Sequence, residues 1–237
     1  KTAKSKKLKS ILLKKYKNYS IPKCEVIVVG GGDGFMLNIL KKYQKFKIPF
    51  YGINCGSFGF LMNPYTEIKL ENKIVKSKKI TINPLIIKTL DKKNKIKKII
   101  AINEISIFRQ SKQTSALRLS FGKKIVVKKL VGDGVLVSTP AGSTAYNLSI
   151  NGPILTLNSG KLAVTPISPF RPRRWKGKII LDNLAVSITN LDFNKRPVAA
   201  VADNIEVRNI KKLNVKINKK IKINIFYDKN RNLTKKI

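Results

Sequence analysis

The chain has 237 residues, enough for one large domain or two modest ones, and its 43% hydrophobic content indicates packed cores. Histidine is absent, which excludes a Ser-His-Asp triad, and two cysteines without a second pair exclude a zinc finger. Fifty Lys and Arg against twelve Asp and Glu give a net charge of +38, spread along the whole chain. This spread indicates that lysines occupy every solvated face, where they produce a positive field that attracts nucleotides. It argues against a stripe of cations that binds nucleic acid.

The first part of the chain alternates between helix and strand patterns. Apolar residues at helical spacing between 8 and 16 predict a surface helix. A continuous apolar run at 24–29 predicts a buried parallel strand, 35–43 predicts a helix, and 49–54 predicts a second strand. Together they form a βαβ unit, the core of a doubly wound sheet.

Short β-type runs with polar turns dominate the rest of the chain and predict a β-sandwich. The runs are 80–90, 99–108, 116–121, 125–130, 135–139, 179–181, 185–189, 198–201, 215–217 and 221–226. The predicted fold class is therefore α/β + all-β: a small doubly wound α/β domain at 1–70, followed by a β-sandwich domain at 71–226. A return of the tail, about 227–237, to the first domain is left open.

A glycine-rich segment, 29–34, directly follows the first predicted strand. Its glycines permit positive φ and close approach of backbone N–H groups to a phosphate, and the following helix N-terminus favours an anion. Asp33 would repel that phosphate, so it is interpreted as binding a hydroxyl or a metal, or else as a helix N-cap. Neither a Walker A loop nor a dinucleotide fingerprint fits, because Phe35 follows the last glycine and 51–56 contains no acid.

Two further segments carry polar chemistry. Asn103 and Glu104 lie in a β-type run and need a loop or bulge to face the same ligand, since neighbouring side chains on a strand point to opposite faces. Residues 132–146 combine Gly-Asp-Gly with a run of small and hydroxylated residues and a short helix to about Ser149. Ser143 or Thr144 is the expected N-cap of that helix, which leaves backbone amides available to a polar ligand.

These motifs, in this order and spacing, resemble the NAD kinase family, and the resemblance runs from about residue 24 to 208. They are Gly31-Gly32-Asp33-Gly34, Gly52-Ile53-Asn54-x-Gly56-x-x-Gly59-Phe60-Leu61, Asn103-Glu104 and the segment from Gly132-Asp133-Gly134 to Tyr146. The strand that usually opens the family's fold has no counterpart here. Phe58 stands where Leu is usual and Asp203-Asn204 where Asp-Gly is common, and neither departure is expected to touch the chemistry.

The resemblance implies phosphoryl transfer from ATP or polyphosphate to the 2′-hydroxyl of the adenosine ribose of NAD, assisted by a divalent metal ion, expected to be Mg²⁺. It implies that Asp33 is the base on that hydroxyl. The residues implied to contact NAD are Gly34, Asn103, Glu104, Asp133, Ala141, Thr144, Ala145, Tyr146, Asn147, Leu148 and Ser149. It also implies a homo-oligomer, either dimer or tetramer.

Two alternative functions also fit parts of the sequence. A lipid kinase of the diacylglycerol type shares the Gly-Gly-Asp-Gly loop, and 139–146 argues against it. A basic nucleic-acid-binding protein would explain the charge but needs clustered cations with aromatics, found only at 171–175, a loop that also suits a phosphate or a subunit interface. Cys24 and Cys55 are interpreted as reduced thiols, and no apolar stretch has membrane-spanning length, so a cytoplasmic protein without membrane or nucleic-acid partners is expected.

Overall fold

A computed structural model describes residues 2–57, 59–66 and 69–229. Its helices are α1 (Ala3–Lys15), α2 (Asp33–Tyr43), α3 (Leu70–Lys76) and α4 (Tyr146–Ser149). Its strands are β1 (Ile27–Gly31), β2 (Phe50–Asn54), β3 (Lys78–Ile82), β4 (Leu85–Asp91), β5 (Ile96–Ala101), β6 (Glu104–Arg109), β7 (Ser115–Phe121), β8 (Lys124–Ser138), β9 (Lys161–Arg171), β10 (Lys178–Leu181), β11 (Val186–Asn190), β12 (Val198–Ala202), β13 (Ile205–Val207), β14 (Ile210–Ile217) and β15 (Ile223–Tyr227).

The chain forms two compact units, the first up to Ile82 and again from Ile221, the second Asn83–Lys220. The first contains a four-stranded sheet in the order β1-β2-β15-β3. β1 and β2 are parallel, which confirms the predicted βαβ unit. One face of the sheet is covered by α1 and α3, because Leu8 and Ile74 join a cluster with Tyr51 of β2.

The second unit is built from antiparallel strands in the order β13-β12-β6-β8-β7-β11-β14-β4-β5, with β9 pairing β8 and β10 pairing β9. Leu, Ile, Val and Ala side chains from strands along this whole order form one buried cluster. β12 also approaches β5 and β14, with which it does not pair. The sheet therefore folds over on its own core, and the predicted class of α/β plus all-β is confirmed.

The units divide at Ile82, whereas the sequence placed the boundary at 70/71. β3 pairs antiparallel with β15, so both belong to the first sheet, and the chain returns there at Ile221 rather than about 227. The predicted run 80–90 is accordingly two strands of different sheets, and the run 221–226, assigned to the sandwich, lies in the first unit. Of the predicted tail, 230–237 lie outside the described residues.

Candidate active site

Asp33 is the first residue of α2 and directly follows the helix N-cap Gly32, which comes after the last residue of β1. The N-cap prediction for Asp33 is wrong, since the cap is Gly32, in extended backbone (φ −111°), without a side-chain hydrogen bond. Positive φ is also not the reason for the loop's glycines, because none of them adopts it. A Cβ on Gly31 would approach the Phe35 ring to 2.9 Å, but one on Gly32 or Gly34 would meet nothing within 4 Å. Among the described residues, the space beside Gly32 and Gly34 is therefore open.

The carboxylate of Asp33 holds the segment that follows β2. The backbone N–H of Phe60 donates to its Oδ2 (2.7 Å), and that of Leu61 donates to Oδ1 (2.9 Å). Gly52 lets this segment approach β2, since a Cβ there would lie 3.1 Å from the carbonyl oxygen of Leu61. The two glycine motifs of the sequence thus meet at Asp33. Each carboxylate oxygen has two lone pairs, so one acceptor position remains on each.

Asn103 and Glu104 lie where the chain turns from β5 into β6. Asn103 occupies a bend after β5, and Glu104 begins β6, which supplies the irregularity that the adjacent pair needs. Both residues are mostly buried. Asn103 Oδ1 and Glu104 Oε2 are buried without a hydrogen-bond partner among the described residues. A buried acceptor left unsatisfied costs free energy, so this pair of oxygens is a candidate binding site for ligand donors.

The electrostatic environment of Glu104 is unfavourable for a charge. Burial, and secondly the negative charge of Asp203, raise the pKa of Glu104 from its ordinary 4.5 to about 8. Perturbed carboxyl groups of this kind concentrate at functional sites. Asp203 is a residue that sequence reasoning did not assign to the site, because it lies about a hundred positions away in the turn between β12 and β13.

The turn after β8 packs directly on Asn103. The Thr139 N–H donates to the Asn103 carbonyl (2.8 Å), and the Thr139 hydroxyl donates to the Ile102 carbonyl (2.8 Å). A glycine is required at position 142 because the chain there packs against the backbone of Asn103. A Cβ on Gly142 would lie 2.7 Å from the Cα of Asn103 and would overlap its carbonyl. The structure therefore brings the Asn103–Glu104 pair together with the 139–146 segment, including buried Ala141.

The short helix α4 ends at Ser149, as predicted, but its capping was predicted wrongly. Its N-cap is Ala145, without a side-chain hydrogen bond. The hydroxyl of Ser143 instead donates to the Pro140 carbonyl (2.8 Å) and accepts from the N–H of Leu155 (3.0 Å). Ser143 therefore fastens the loop that precedes the helix.

Asn147 is fully buried, and its side chain is occupied by the protein. Its Oδ1 accepts from the Thr165 hydroxyl (2.7 Å), and its Nδ2 donates to the carbonyls of Pro153 (2.9 Å) and Ser143 (3.3 Å). These contacts use both N–H bonds of the side-chain amide, so the side chain of Asn147 supports the loop, and the contact of Asn147 with NAD stays a prediction. The remaining predicted residues of this segment are at least partly exposed: Thr144, Ala145, Tyr146, Leu148 and Ser149.

Asp133 lies in β8 and is paired with Arg109 of β6 (Nε···Oδ1 2.5 Å), with both side chains about one-third exposed. Tyr146 lies close by, since burial and then the charge of Asp133 raise the pKa of its hydroxyl. The ring of Tyr146 also contacts Phe108 of β6 (centroids 5.8 Å apart). Arg109 and Phe108 were not foreseen from the sequence, because only the β6–β8 register brings them beside the predicted residues.

The cationic loop at 168–175 presents arginines around Phe170. The guanidinium groups of Arg171 and Arg173 each lie 5.4 Å from the ring centroid of exposed Phe170. Trp175 is partly buried and packs against the core of the second unit. The exposed aromatic of this loop is therefore Phe170.

An acid within a glycine-rich strand-to-helix turn, on an α/β unit followed by an all-β unit, suits a phosphotransferase that acts on a hydroxyl group. The chain matches the ATP-NAD kinase N-terminal domain over residues 2–76 and the ATP-NAD kinase C-terminal domain over 102–219. It is 42% identical to the NAD kinase of Zymomonas mobilis over 240 residues, covering 100% of this chain and 92% of that protein. It is 45% identical to the NAD kinase of Rickettsia typhi over 226 residues, covering 95% and 89%.

The chain belongs to the NAD kinase family, and its activity is the phosphorylation of NAD. Two solved structures share its fold. Yeast NADH kinase complexed with NADH has a TM-score of 0.76 at 20% identity, covering 94% of this chain and 72% of that one. An NAD kinase from Archaeoglobus fulgidus in complex with ATP has a TM-score of 0.75 at 22% identity, covering 97% and 91%. Within the described ranges, no helix combines the length and hydropathy needed to cross a membrane.

Proposed function

We propose that the chain transfers the terminal phosphoryl group of ATP, or of polyphosphate, to the 2′-hydroxyl of the adenosine ribose of NAD. The observation that supports this proposal most directly is the carboxylate of Asp33, which two backbone amides hold in an open glycine turn. ATP as donor is supported by the ATP-NAD kinase domains that the chain matches and by the Archaeoglobus fulgidus relative, which was solved with ATP. These observations favour ATP as the first donor to test.

Asp33 orients the 2′-hydroxyl and accepts its proton. A ribose hydroxyl is a far weaker acid than a carboxyl group of ordinary pKa about 3.9, so removal of the proton before attack is excluded. The proton instead leaves as the bond from the ribose oxygen to phosphorus forms and the bond from phosphorus to the departing ADP breaks. The two amides occupy one acceptor position on each oxygen of Asp33, so each oxygen can still accept from the ribose hydroxyl.

The residues that hold NAD are in the second unit. Asn103 Oδ1 and Glu104 Oε2 are buried acceptors that the described part of the protein leaves unpartnered, and ribose hydroxyls are suitable donors for them. Asp133, Ala141 and the exposed members of 144–149 supply further contacts. Gly34, next to Asp33 in the chain, is proposed to contact NAD as well. Asn147 contributes through the loop that it supports.

A divalent metal ion, Mg²⁺, is proposed to enter with the donor. In the described ranges no group of three or more Asp, Glu, Cys or His side chains is placed to hold a metal ion. Mg²⁺ commonly keeps several waters and binds through phosphate oxygens with only one or two carboxylates. When bound it would neutralise phosphate charge. We also propose a cytoplasmic homo-oligomer, dimer or tetramer, to be tested by light scattering; the two free cysteines fit a reducing compartment.

The test is NADP formation by the purified chain with ATP and then with polyphosphate, for the native protein and Asp33→Asn. Loss of general-base help should lower kcat by ~10²–10⁴-fold, with much less change in KM for NAD. Because Asn also turns an N–H group toward Phe60 or Leu61, the control is Gly59→Ala, which disturbs the same segment through Met62 and leaves the carboxylate intact. Equal losses in both variants would assign Asp33 to loop support, and near-normal turnover in folded Asp33→Asn would remove it from the chemistry.

A further inference from the structure

Asp203 binds the backbone of the segment that carries Asn103 and Glu104. Its Oδ2 accepts from the N–H of Ile102 (2.9 Å), and its Oδ1 accepts from those of Asn103 (2.9 Å) and Glu104 (3.4 Å). Its own N–H donates to the Glu104 carbonyl (3.1 Å). One carboxylate thus receives three successive amides where the chain bends between β5 and β6.

Asp203 and the turn after β8 bind the backbone of this bend from two sides. Asp203 binds the amides of the bend, and Thr139 binds the carbonyls of Ile102 and Asn103. The backbone of Asn103 has therefore little freedom to turn. Under this constraint Asn103 Oδ1 and Glu104 Oε2 stay buried without a partner in the described chain, an arrangement that relaxation of a freer backbone would relieve.

The charge of Asp203 is unfavourable for its neighbour. It is the second cause, after burial, of the raised pKa of Glu104. An Asn at this position would accept hydrogen bonds through one oxygen, and it tolerates the left-handed backbone of Asp203 (φ 50°) as well as Asp does. A carboxylate that opposes ionisation of a buried glutamate, while it holds the backbone of that residue, indicates a role in the site beyond local stability.

We propose that Asp203 is a positioning residue for NAD phosphorylation, holding Asn103 and Glu104 so that their side-chain oxygens receive hydroxyl groups of bound NAD. This role rests on the proposed NAD site. Asp203 itself does not contact NAD. It acts through the amides of the bend, as a group that supports the orientation of binding residues.

The experiment compares Asp203→Asn with Asp91→Asn by calorimetry with NAD on the full chain. Asp91 is a matched control, since its Oδ1 also accepts two backbone amides, those of Lys93 and Lys95. It sits at the end of the β4–β5 hairpin away from the bend, six strand residues or roughly 20 Å along. The dissociation constant for NAD should rise about tenfold in Asp203→Asn, because one buried amide loses its acceptor, and stay within about twofold in Asp91→Asn.

A second readout separates positioning from general destabilisation. The pKa of Glu104, followed by NMR of its labelled carboxyl carbon, should fall in Asp203→Asn alone, since only that change removes negative charge beside it. The effect of Asp203→Asn on NAD affinity should also shrink in an Asn103→Ala/Glu104→Gln background, because residues that act through one another are not additive. Asp203→Ser, which keeps one acceptor oxygen, provides a second variant should Asn not fold.

The outcomes are distinct. An NAD affinity in Asp203→Asn equal to that in Asp91→Asn would overturn the positioning role, as would an undiminished loss in the double background. If Asn103→Ala/Glu104→Gln itself binds NAD as tightly as the native chain, the proposed NAD site is wrong and the role of Asp203 falls with it. Loss of affinity in that double variant with no loss in Asp203→Asn would leave the NAD site standing and remove the positioning role alone.

Discussion

Glu104 should make the stability of the second unit depend on pH in a way that Glu104→Gln removes. The pKa of Glu104 in the folded chain, about 8, lies above its ordinary value of 4.5. A group with a raised folded pKa contributes stability that is fully present below its unfolded pKa and lost as pH rises through its folded pKa. The window is therefore pH 4.5 to 8, with stability falling as pH rises. Gln has the same shape and no charge, so it does not show this loss.

The magnitude follows from the size of the shift. One pKa unit corresponds to about 1.4 kcal/mol, so the unfolding free energy of the native chain relative to Glu104→Gln should drop by about 3 kcal/mol between pH 5 and pH 7.5. The other titrating groups, including the many lysines, are common to both proteins and cancel in this difference. Burial supplies most of the effect, with Asp203 second.

The assay is urea unfolding at fixed ionic strength, followed by the fluorescence of Trp175. Trp175 is the chain's only tryptophan and packs against the core of the second unit, so its signal reports on the unit that contains Glu104. Glu206→Gln is the control, because Glu206 is well exposed and pairs with Arg208. Parallel stability curves for the native chain and Glu104→Gln from pH 5 to 7.5 would refute an uncharged, buried Glu104.

Two further outcomes are expected. Gly142→Ala should lower the NAD affinity of the second unit and also its unfolding free energy, the latter by about 1–3 kcal/mol, because the added Cβ would overlap the Asn103 carbonyl. Calorimetry measures the affinity and urea unfolding measures the stability. A loss no larger than in Gly160→Asn would contradict this prediction. With salt raised from about 50 to 300 mM, binding to duplex DNA should be lost steeply and kcat/KM for NAD should fall gently, since the cations are dispersed. Sub-micromolar duplex binding at the higher salt would return a nucleic-acid role to contention.

The local architecture of the first unit was predictable because its signals are local. An apolar run, glycines and a helical period predicted β1, α2 and β2 in order, and their parallel pairing followed from the βαβ rule. The domain assignment of β15 was wrong. Ile223–Tyr227 reads like any other β run, and nothing in its own residues indicates that it pairs with β2 and β3 rather than with the strands of the second unit.

The predicted site shows the same limit. Asn103, Glu104 and 139–146 were identified from residue types and from resemblance, and the structure brings them together. The partners that hold them could not be found this way. Asp203 is set beside Asn103 only by the order of β6, β12 and β13, and no local pattern shows that Thr165 and Pro153 bind the side chain of Asn147. Local pattern identifies polar residues, and long-range register decides which of them remain available.

Among the described residues, three of the chain's few acids each accept hydrogen bonds from two or more backbone amides, and their surroundings separate structural use from functional use. Asp91 closes a hairpin turn, where its charge meets solvent and lysines and costs little. Asp33 lies in the first turn of α2, where two backbone amides and the helix dipole stabilise its charge. Asp203 lies beside buried Glu104 and opposes its ionisation, although an Asn there could satisfy part of the hydrogen bonding without a charge. A carboxylate that holds backbone next to a candidate site, rather than one that closes an exposed turn, is therefore the stronger sign of function in this chain.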